Sequence, residues 1–368
     1  FYISDEFKDK DLISDSIINL FESVDYRIIN LEAPITKNNS KIVKTGPFLR
    51  MGAEIITPFL KKLNVNAVTL ANNHILDYDN IGLNDTLNYL KEHEISYFGA
   101  GKNIAEAAKP HILKKKGLKT CFLNFCENEW SIATEKKAGA NPIDLINNYQ
   151  QIKLLKKKYD KIICIVHGGQ LHYTLPSPST QKFYRFLVDC GADAVISHHT
   201  HSIGGNENYK NAPIYYGLGS FMFTVMKNEK NKPFWYNGVI TVLNINENIT
   251  AKQYLTVQNK KNFKVSLVDE KNKIKIENVI KNLNKKIASK SELDKEWYRY
   301  IKEYKNYPLN HLSPINEIKS PFLKYVLKKI GIYNFWPSKR FKKELLNILS
   351  CESHREKLIK ILKEDIKK

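Results

Sequence analysis

The sequence predicts a layered α/β fold, and three features of the chain support this prediction. Five apolar runs alternate with five segments of helical periodicity in the first 200 residues, which is typical of stacked strands and helices. After Pro213 the pattern changes to shorter strands with few helices between them, as expected for a sheet of mixed direction. From residue 259 the chain becomes basic and helical in its periodicity.

The elements follow from apolar spacing and from residues that begin helices. A spacing of 3.6 predicts helices, here over 11–24, 53–63, 79–93, 142–158 and 179–190. Apolar, β-branched runs of strand length predict strands over 26–31, 65–70, 119–125, 161–166 and 192–197, then 214–217, 237–246 and 251–258. Ser14, Asp79 and Ser179 are good N-cap types and are predicted to begin three of the helices.

Composition is that of a soluble globular protein. The 368 residues are 42% hydrophobic and 26% charged, enough for one large or two modest domains. No run reaches the roughly 18 apolar residues that suggest a membrane span. Five cysteines lack metal-site spacing, and four lie in or beside apolar runs at 121, 126, 164 and 190. They are expected to be free core thiols, which favours a reducing compartment.

The last part of the chain is predicted to form a separate basic region, with domains over 1–258 and 259–368. Residues 258–368 contain 28 Lys and Arg against 13 Asp and Glu, or +15 of the total charge of +20. This helical extension is either a solvated face or a contact surface for a membrane, an anionic polymer or nucleic acid. No nucleic-acid motif accompanies it, so nucleic acid is not an expected partner. An apolar and aromatic cluster over 322–336 either packs on the first domain or meets a partner or membrane.

Polar side chains follow four of the apolar runs where each strand should stop. Glu32 follows the first, Asn72-Asn73-His74 the second, His167 the fourth and His198-His199-Thr200-His201 the fifth. Alternate residues of a strand project to one side, so His199 and His201 are expected to point the same way. Each residue alone could be satisfied by ordinary hydrogen bonds, but four such strand ends favour one shared site.

The residue types at these strand ends suit divalent metal ions. Carboxylate, amide oxygen and imidazole together are ligands for Mn, Fe or Zn, and cysteine is not needed. Two such ions, about 3.5–4 Å apart, could activate a water and stabilise a leaving oxygen. Glu32 is the best candidate for a carboxylate that bridges them.

The order of these motifs resembles the CapA family of capsule and poly-γ-glutamate synthesis proteins, which are related to calcineurin-like metallophosphoesterases. The motifs are Asn30-Leu31-Glu32-Ala33-Pro34, Leu70–Asp77, Gly99-Ala100-Gly101, His167-Gly168-Gly169, His198–His201 and Tyr216–Phe221. The resemblance covers about residues 1–245 and implies a metallophosphoesterase-like two-sheet sandwich flanked by helices. It implies metal ligands at Glu32, Asn73, His167, His199 and His201, and a proton donor at His74.

The chain also departs from the family pattern. The family opens with a strand ending in Gly-Asp, whose Asp binds the first metal, and Phe1–Ser4 resembles the segment just after it. We therefore expect that strand to precede Phe1 in the natural protein. Gln170 and Leu171 stand where many relatives carry polar residues, and Ser220 stands where Asn is usual.

Five further residues are candidates for substrate binding. Arg50 could bind phosphate or carboxylate through its guanidinium, or form a surface ion pair. His172 and Tyr173 are expected to line the pocket from an irregular loop, and Asn72 and His198 lie within the site motifs. Gly99-Ala100-Gly101-Lys102 lacks the spacing of a phosphate loop and is interpreted as a turn after a strand.

Two hypotheses for function follow. In the first, the protein is a metal-dependent hydrolase that acts on a phosphodiester or amide bond of an anionic surface polymer or its precursor. In the second, it is a metal-stabilised subunit that holds the polymer for the capsule synthesis machinery. Either activity is expected in the cytoplasm or on the cytoplasmic face of the membrane, with the basic C-terminal region as a contact surface.

Overall fold

The structure is a computed structural model that describes residues 2–7, 10–44, 46–224, 234–304, 318, 320–330, 339–350 and 362. The chain divides into two compact units, Phe1–Asp294 and Lys295–Lys368. The change of composition near residue 259 therefore falls within the first unit. A helix over Glu270–Ala288 lies beyond that point and still buries Ile276, Ile280 and two further apolar residues in the first unit's core.

The described residues form fourteen strands. They are β1 Ile28–Asn30, β2 Ala67–Thr69, β3 Ser96–Phe98, β4 Ala100–Gly101, β5 His111–Lys115, β6 Leu118–Cys126, β7 Gly139–Ala140, β8 Lys161–His167, β9 Ala194–His198, β10 Asn206–Tyr209, β11 Ala212–Tyr215, β12 Asn237–Ile245, β13 Ile249–Gln258 and β14 Val265–Leu267.

The helices flank the strands and continue into the second unit. They are α1 Asp15–Glu22, α2 Ala53–Lys62, α3 Asp79–Glu92, α4 Ile104–Ala107, α5 Leu145–Lys156, α6 Pro178–Cys190, α7 Glu270–Ala288, α8 Lys290–Tyr304, α9 Pro321–Lys329 and α10 Lys339–Ser350. A single 3₁₀ turn, Asp5–Phe7, precedes α1.

A six-stranded sheet forms one layer of the first unit. Its order is β10-β11-β9-β8-β6-β5, with the four inner strands parallel and the two outer strands antiparallel. The inner strands are the apolar runs of the sequence, because a parallel strand that is covered on both faces has no solvated side. Helices α5, α6 and α7 cover one face through Ile152, Leu187 and Ile287.

Two three-stranded sheets form the facing layer. One is parallel, in the order β1-β2-β3, and the other is antiparallel, in the order β12-β13-β14. Their inner residues Ala67 and Ile249 share a core cluster with Phe122 and Ile165 of the large sheet, while α1, α2 and α3 pack on the outside through Ile17, Ile56 and Leu83. The predicted two-sheet sandwich flanked by helices is confirmed.

Two of the three predicted N-caps are wrong by one or two residues. Ser14 does occupy the N-cap position of α1. In α6, however, the cap is Ser177, whose hydroxyl accepts the Thr180 N–H at 3.0 Å ahead of Pro178 at the first helical position. Asp79 is the first helical residue of α3, not its cap, and has a φ of +58°.

Among the described residues, no helix is both long and apolar enough to cross a membrane.

Candidate metal and acid–base site

The site lies where four strands of the two layers end side by side. Glu32 follows β1 by two residues, and Asn73 and His74 follow β2, both in the small parallel sheet. His167 is the last residue of β8 and pairs in register with His198, the last residue of β9, in the large sheet. The carboxyl ends of parallel strands thus bring the predicted residues together.

His199 and His201 reach the site differently from the prediction. The strand ends at His198, and the next residues form a loop in which His199 and His201 have φ values of +91° and +50°. Strand alternation therefore does not aim these two side chains, and that part of the argument is wrong. Left-handed backbone, which is uncommon for residues other than glycine, turns both rings into the site instead.

His167 is the centre of the site. Its Nε2 lies 3.1 Å from Asn73 Oδ1 and 3.1 Å from His199 Nδ1, with Glu32 Oε1 at 3.8 Å. The side chains of His167, Glu32 and His199 are 2%, 6% and 8% exposed, and Asn73 is partly exposed at the border of the site. The Nδ1 atom of His167 is buried without a hydrogen-bond partner among the described residues.

His201 forms the other wall beside Glu32. Its Nε2 lies 3.3 Å from Glu32 Oε1, and its Nδ1 lies 3.0 Å from Ser220 Oγ. The second oxygen of Glu32 accepts the Asn30 carboxamide N–H at 3.2 Å. A single oxygen of Glu32, Oε1, therefore faces both His167 and His201, and the bridging role of this carboxylate stays a prediction.

Burial sets the charge of these groups. Desolvation alone would raise the pKa of Glu32, but the charge and hydrogen bond of His201 hold it well below its usual range. Burial lowers the pKa of His199 to about 4 and that of His198 to about 4, and it lowers the pKa of His167 well below its usual range. At neutral pH the Glu32 carboxylate thus lies near His167, His198 and His199 as uncharged imidazoles that keep a free lone pair, which is the ionisation state of metal ligands.

The fit to a metal is good in chemistry and incomplete in geometry. Ligands about 2.0–2.1 Å from a tetrahedral ion are about 3.4 Å apart, and Asn73 Oδ1 and His199 Nδ1 approach that spacing around His167 Nε2. Within the described part of the chain, however, no three His, Cys, Asp or Glu side chains surround one point closely enough to hold an ion. A metal ion here would be held by His167, His199 and Asn73, and the Glu32 carboxylate would have to move inward to bind it as well.

His74 is fixed by a buried carboxylate that the sequence did not single out. Its Nδ1 lies 2.7 Å from Asp77 Oδ2, which also accepts the Leu49 N–H at 2.8 Å, and Lys44 Nζ bonds the other oxygen of Asp77. The Lys44 side chain is 3% exposed and that of Asp77 is fully buried. With Nδ1 directed at Asp77, the Nε2 atom of His74 is the one left for a substrate.

Two further carboxylates border the site, and both follow the apolar run of β6. Glu129 Oε2 accepts the Asn73 carboxamide N–H at 3.4 Å, and Oε1 lies 4.0 Å from His199 Nε2. Glu127 accepts the Gly169 N–H at 2.8 Å, and burial raises its pKa. The rule that identified the other four strand ends would have found both, because they come directly after an apolar run.

The predicted substrate-binding residues have varied surroundings. Asn72 is fully buried; it donates to Leu31 O at 2.8 Å and accepts the His74 N–H at 3.1 Å, so it holds the loop. Arg50 donates to Asn38 O at 2.7 Å and to the neighbouring Asn39 side chain. The Asn72 amide and the Arg50 guanidinium thus already form hydrogen bonds within the protein.

Of the remaining three, His172 and His198 lie beside the imidazole cluster formed by His167, His199 and His201. The His172 ring lies 6.4 Å from that of His201 and 5.3 Å from that of Trp235, on a backbone with a φ of +60°. Tyr173 is partly buried and packs against the core of the large sheet. His198 lines a cavity next to Glu32.

That cavity measures about 510 Å³ and runs between β1 and β12. Apolar side chains such as Phe122, Ile163 and Ile165 of the large sheet make up most of its lining, and Lys115 and Lys116 also border it. Among the described strands, β1 and β12 each pair on one side only, and the cavity separates them. The expected additional strand with its Asp ligand stays a prediction.

Comparison with known proteins agrees with the resemblance seen in the sequence. Residues 5–225 match the model of a family described as "Bacterial capsule synthesis protein PGA_cap". The chain is 30% identical to the capsule biosynthesis protein CapA of Bacillus anthracis over 207 residues, 54% of this chain and 50% of that protein. It is 29% identical to the PGA biosynthesis protein CapA of Bacillus subtilis over 222 residues, 59% of this chain and 58% of that protein.

The chain therefore spans about half the length of the first of these relatives and somewhat more of the second. Among solved structures, the calcineurin-like phosphoesterase YfkN from Bacillus subtilis matches with a TM-score of 0.35 at 15% identity, over 62% of this chain and 74% of that chain.

Proposed function

Because the chain belongs to the PGA_cap family of bacterial capsule synthesis proteins, we propose that it is a metal-dependent, phosphoesterase-like hydrolase that acts in the synthesis of a surface polymer. One observation carries the proposal. Asn73 Oδ1, His199 Nδ1 and Glu32 Oε1 lie within 3.1–3.8 Å of His167 Nε2 in a buried site. A divalent cation at this point would be held by the carboxylate, the amide oxygen and the imidazole nitrogens that face one another.

A pair of divalent ions such as Mn, Fe or Zn would supply a hydroxide near neutral pH and withdraw charge from the bond that is cleaved. Glu32, Asn73, His167, His199 and His201 would hold them. Burial keeps His167 and His199 uncharged, so these imidazoles need not lose a proton before they bind.

His74 would donate the proton to the leaving oxygen. Asp77 accepts from Nδ1–H and would stabilise the doubly protonated ring, whose Nε2–H is then the proton that is transferred. Lys44 and the Leu49 N–H complete the coordination of Asp77 and hold its carboxylate still. A fixed donor reduces the reorganisation needed in the transition state.

Glu129 would orient the Asn73 amide. A metal can bind the carboxamide oxygen but not its NH₂ group. The Asn73 NH₂ donates to Glu129, which leaves Oδ1 directed at His167. Without that acceptor, the two orientations of the amide would be closer in energy.

The substrate we propose is an anionic surface polymer or its precursor, because the Bacillus relatives are named for capsule and PGA biosynthesis. The bond is a phosphodiester or an amide. The four described cysteines are free and buried, which is compatible with a reducing compartment such as the cytoplasm or the cytoplasmic face of the membrane.

A non-catalytic role is the second candidate, and one observation favours it. Residues 258–368 carry +15 of the total charge of +20, which suits a metal-stabilised subunit that holds an anionic polymer. A subunit that only holds polymer for the synthesis machinery would need a stable fold and a basic surface, but not a proton donor at His74.

Metal content of the full-length natural protein tests the proposal. We expect about two transition-metal ions per chain by elemental mass spectrometry, and their loss in His199→Ala/His201→Ala. His93→Ala is the matched control, since His93 stacks on Tyr89 away from the site and its loss should leave the metal in place. A metal-free protein after Mn, Fe or Zn supplementation contradicts the metal-dependent mechanism.

Substitution of His74 separates the two candidates. In a hydrolase, His74→Asn should lower turnover of an activated phosphodiester about 10²–10⁴-fold and leave the metal content unchanged. In a polymer-holding subunit the same substitution should leave polymer binding unchanged, and neither the wild type nor the variant should turn over the phosphodiester. A protein that binds its metals but cleaves neither phosphodiesters nor poly-γ-glutamate supports the second role.

A further inference from the structure

Helix α9 exposes an unusual amount of apolar surface. Phe322 is 76% exposed, Tyr325 59% and Leu323 46%, and Ile330, directly after the helix, is 61% exposed. Three large side chains of this nine-residue helix are therefore exposed to solvent, together with the residue that follows it. Exposed apolar patches of this kind mark contact surfaces.

The apolar and basic residues of α9 occupy different sides. At about 100° per residue, positions 322, 323, 326, 327 and 330 fall on one arc, and all five are apolar in the sequence. Positions 324 and 328 are lysines in the sequence and fall on the opposite arc. Lys329 is exposed at the border, and the helix contains no acidic residue.

Helix α10 also exposes large apolar side chains together with lysines. Leu346 is 65% exposed and Leu349 51%, on the side of the helix that also contains Phe341 and Leu345. The exposed side chain of Lys342 falls within this arc, between Leu349 and Leu346, and that of Lys343 falls just beyond Leu346. The twelve residues contain a single acidic residue in the sequence, at position 344.

Both helices are too short to span a bilayer. At 1.5 Å per residue they are about 14 and 18 Å long, against a hydrocarbon core of about 30 Å. A short amphipathic helix with lysines and aromatic residues instead lies in the plane of the interface, with its apolar face among the acyl chains.

We propose that α9 and α10 bind the surface of a bilayer that contains anionic phospholipid. The lysines select the anionic headgroups, and the apolar arcs enter the acyl boundary. A soluble polyanion such as poly-γ-glutamate could pair with the lysines, but it has no apolar phase to receive Phe322, Leu323 or Leu346. The exposed apolar side chains therefore favour a membrane over a polymer.

Sedimentation of the full-length natural protein with lipid vesicles tests the proposal. We expect binding to vesicles of phosphatidylglycerol and phosphatidylcholine, weaker binding at high salt, and none to phosphatidylcholine alone. Lys329→Glu/Lys342→Glu/Lys343→Glu should weaken binding by about a hundredfold or more. Lys91→Glu/Lys136→Glu/Lys158→Glu, the same charge change at exposed lysines of the first unit, should bind much more tightly than that variant.

An apolar variant distinguishes membrane from polymer. Phe322→Ser/Leu323→Ser keeps every charge and should lose about tenfold or more in vesicle binding for each side chain, while binding of poly-L-glutamate is unchanged. Circular dichroism checks that each variant keeps its helix content. Wild-type vesicle binding by this variant, equal binding to neutral vesicles, or binding of polyanion alone would overturn the proposal. None of these results depends on metal content or turnover.

Discussion

Removing the Lys44 ammonium should destabilise the protein far more than removing any exposed lysine. Lys44 is 3% exposed and its partner Asp77 is fully buried, so Lys44→Met leaves a carboxylate in the interior without its cation. Loss of one member of a buried pair costs about 3–5 kcal/mol. Asp77 retains the Leu49 N–H and His74 Nδ1 as partners, so we expect the lower end of that range, about 3 kcal/mol.

Urea unfolding provides the assay, and the chain offers a matched control. Lys62 pairs with Asp11 at the surface, where the two side chains are 39% and 58% exposed. Lys62→Met should therefore cost about 0–1 kcal/mol. If Lys44→Met lowers the free energy of unfolding no more than Lys62→Met does, the buried Lys44–Asp77 pair does not stabilise the fold. Adding Asp77→Asn to Lys44→Met should recover part of the loss, because no buried charge then remains.

Three other predictions concern the rest of the first unit. Gly99→Ala should destabilise the protein by about 2–4 kcal/mol, since Gly99 has a φ of +92° and a Cβ there would clash with Asn124 Oδ1. The control is Gly117→Ala, where φ is +81° but the space around the Cβ is open, so it should cost about 1 kcal/mol in the same urea assay. Burial raises the pKa of the Cys121 thiol to about 12, so iodoacetamide at pH 8 should label it only in urea, as mass spectrometry would show. The two lysine partners of Asp11 lower its pKa to about 2. The stability that Asp11 contributes is therefore present above about pH 4 and is lost as the pH falls towards 2. Because its side chain is 58% exposed, the loss in free energy of unfolding, measured by urea unfolding at a series of pH values, should stay below about 1 kcal/mol.

The sequence identified the strands that carry the site because burial on both faces leaves a plain apolar signal. The run before His167 became β8 at almost its predicted bounds, and the family resemblance is confirmed by the match over residues 5–225. The first two site strands are only three residues long, shorter than their apolar runs. Buried loop residues next to a strand are as apolar as the strand itself, so the apolar pattern alone does not show where the hydrogen bonding between strands ends.

The features that the sequence did not reveal depend on contacts between distant segments. Lys44 and Asp77 carry no local signal, because each is an ordinary charged residue until the loop folds over His74. The backbone of His199 and His201 was also missed, because the tertiary environment holds both residues at positive φ. Propensity and spacing describe neighbours in sequence, and neither property reports such long-range constraint.

The placement of the site across two sheets also bears on how the protein acquires it. Glu32 and His74 come from one layer, while His167 and His201 come from the other, and nearly every contact between them joins residues far apart in the chain. Such contacts form only after the entropy of closing long loops has been lost. The β12–β13 hairpin, by contrast, joins neighbouring segments. The hairpin therefore closes a short loop, whereas the cluster of His167, His199 and His201 beside Glu32 requires both layers to be packed, so the cluster reports on the complete two-layer fold.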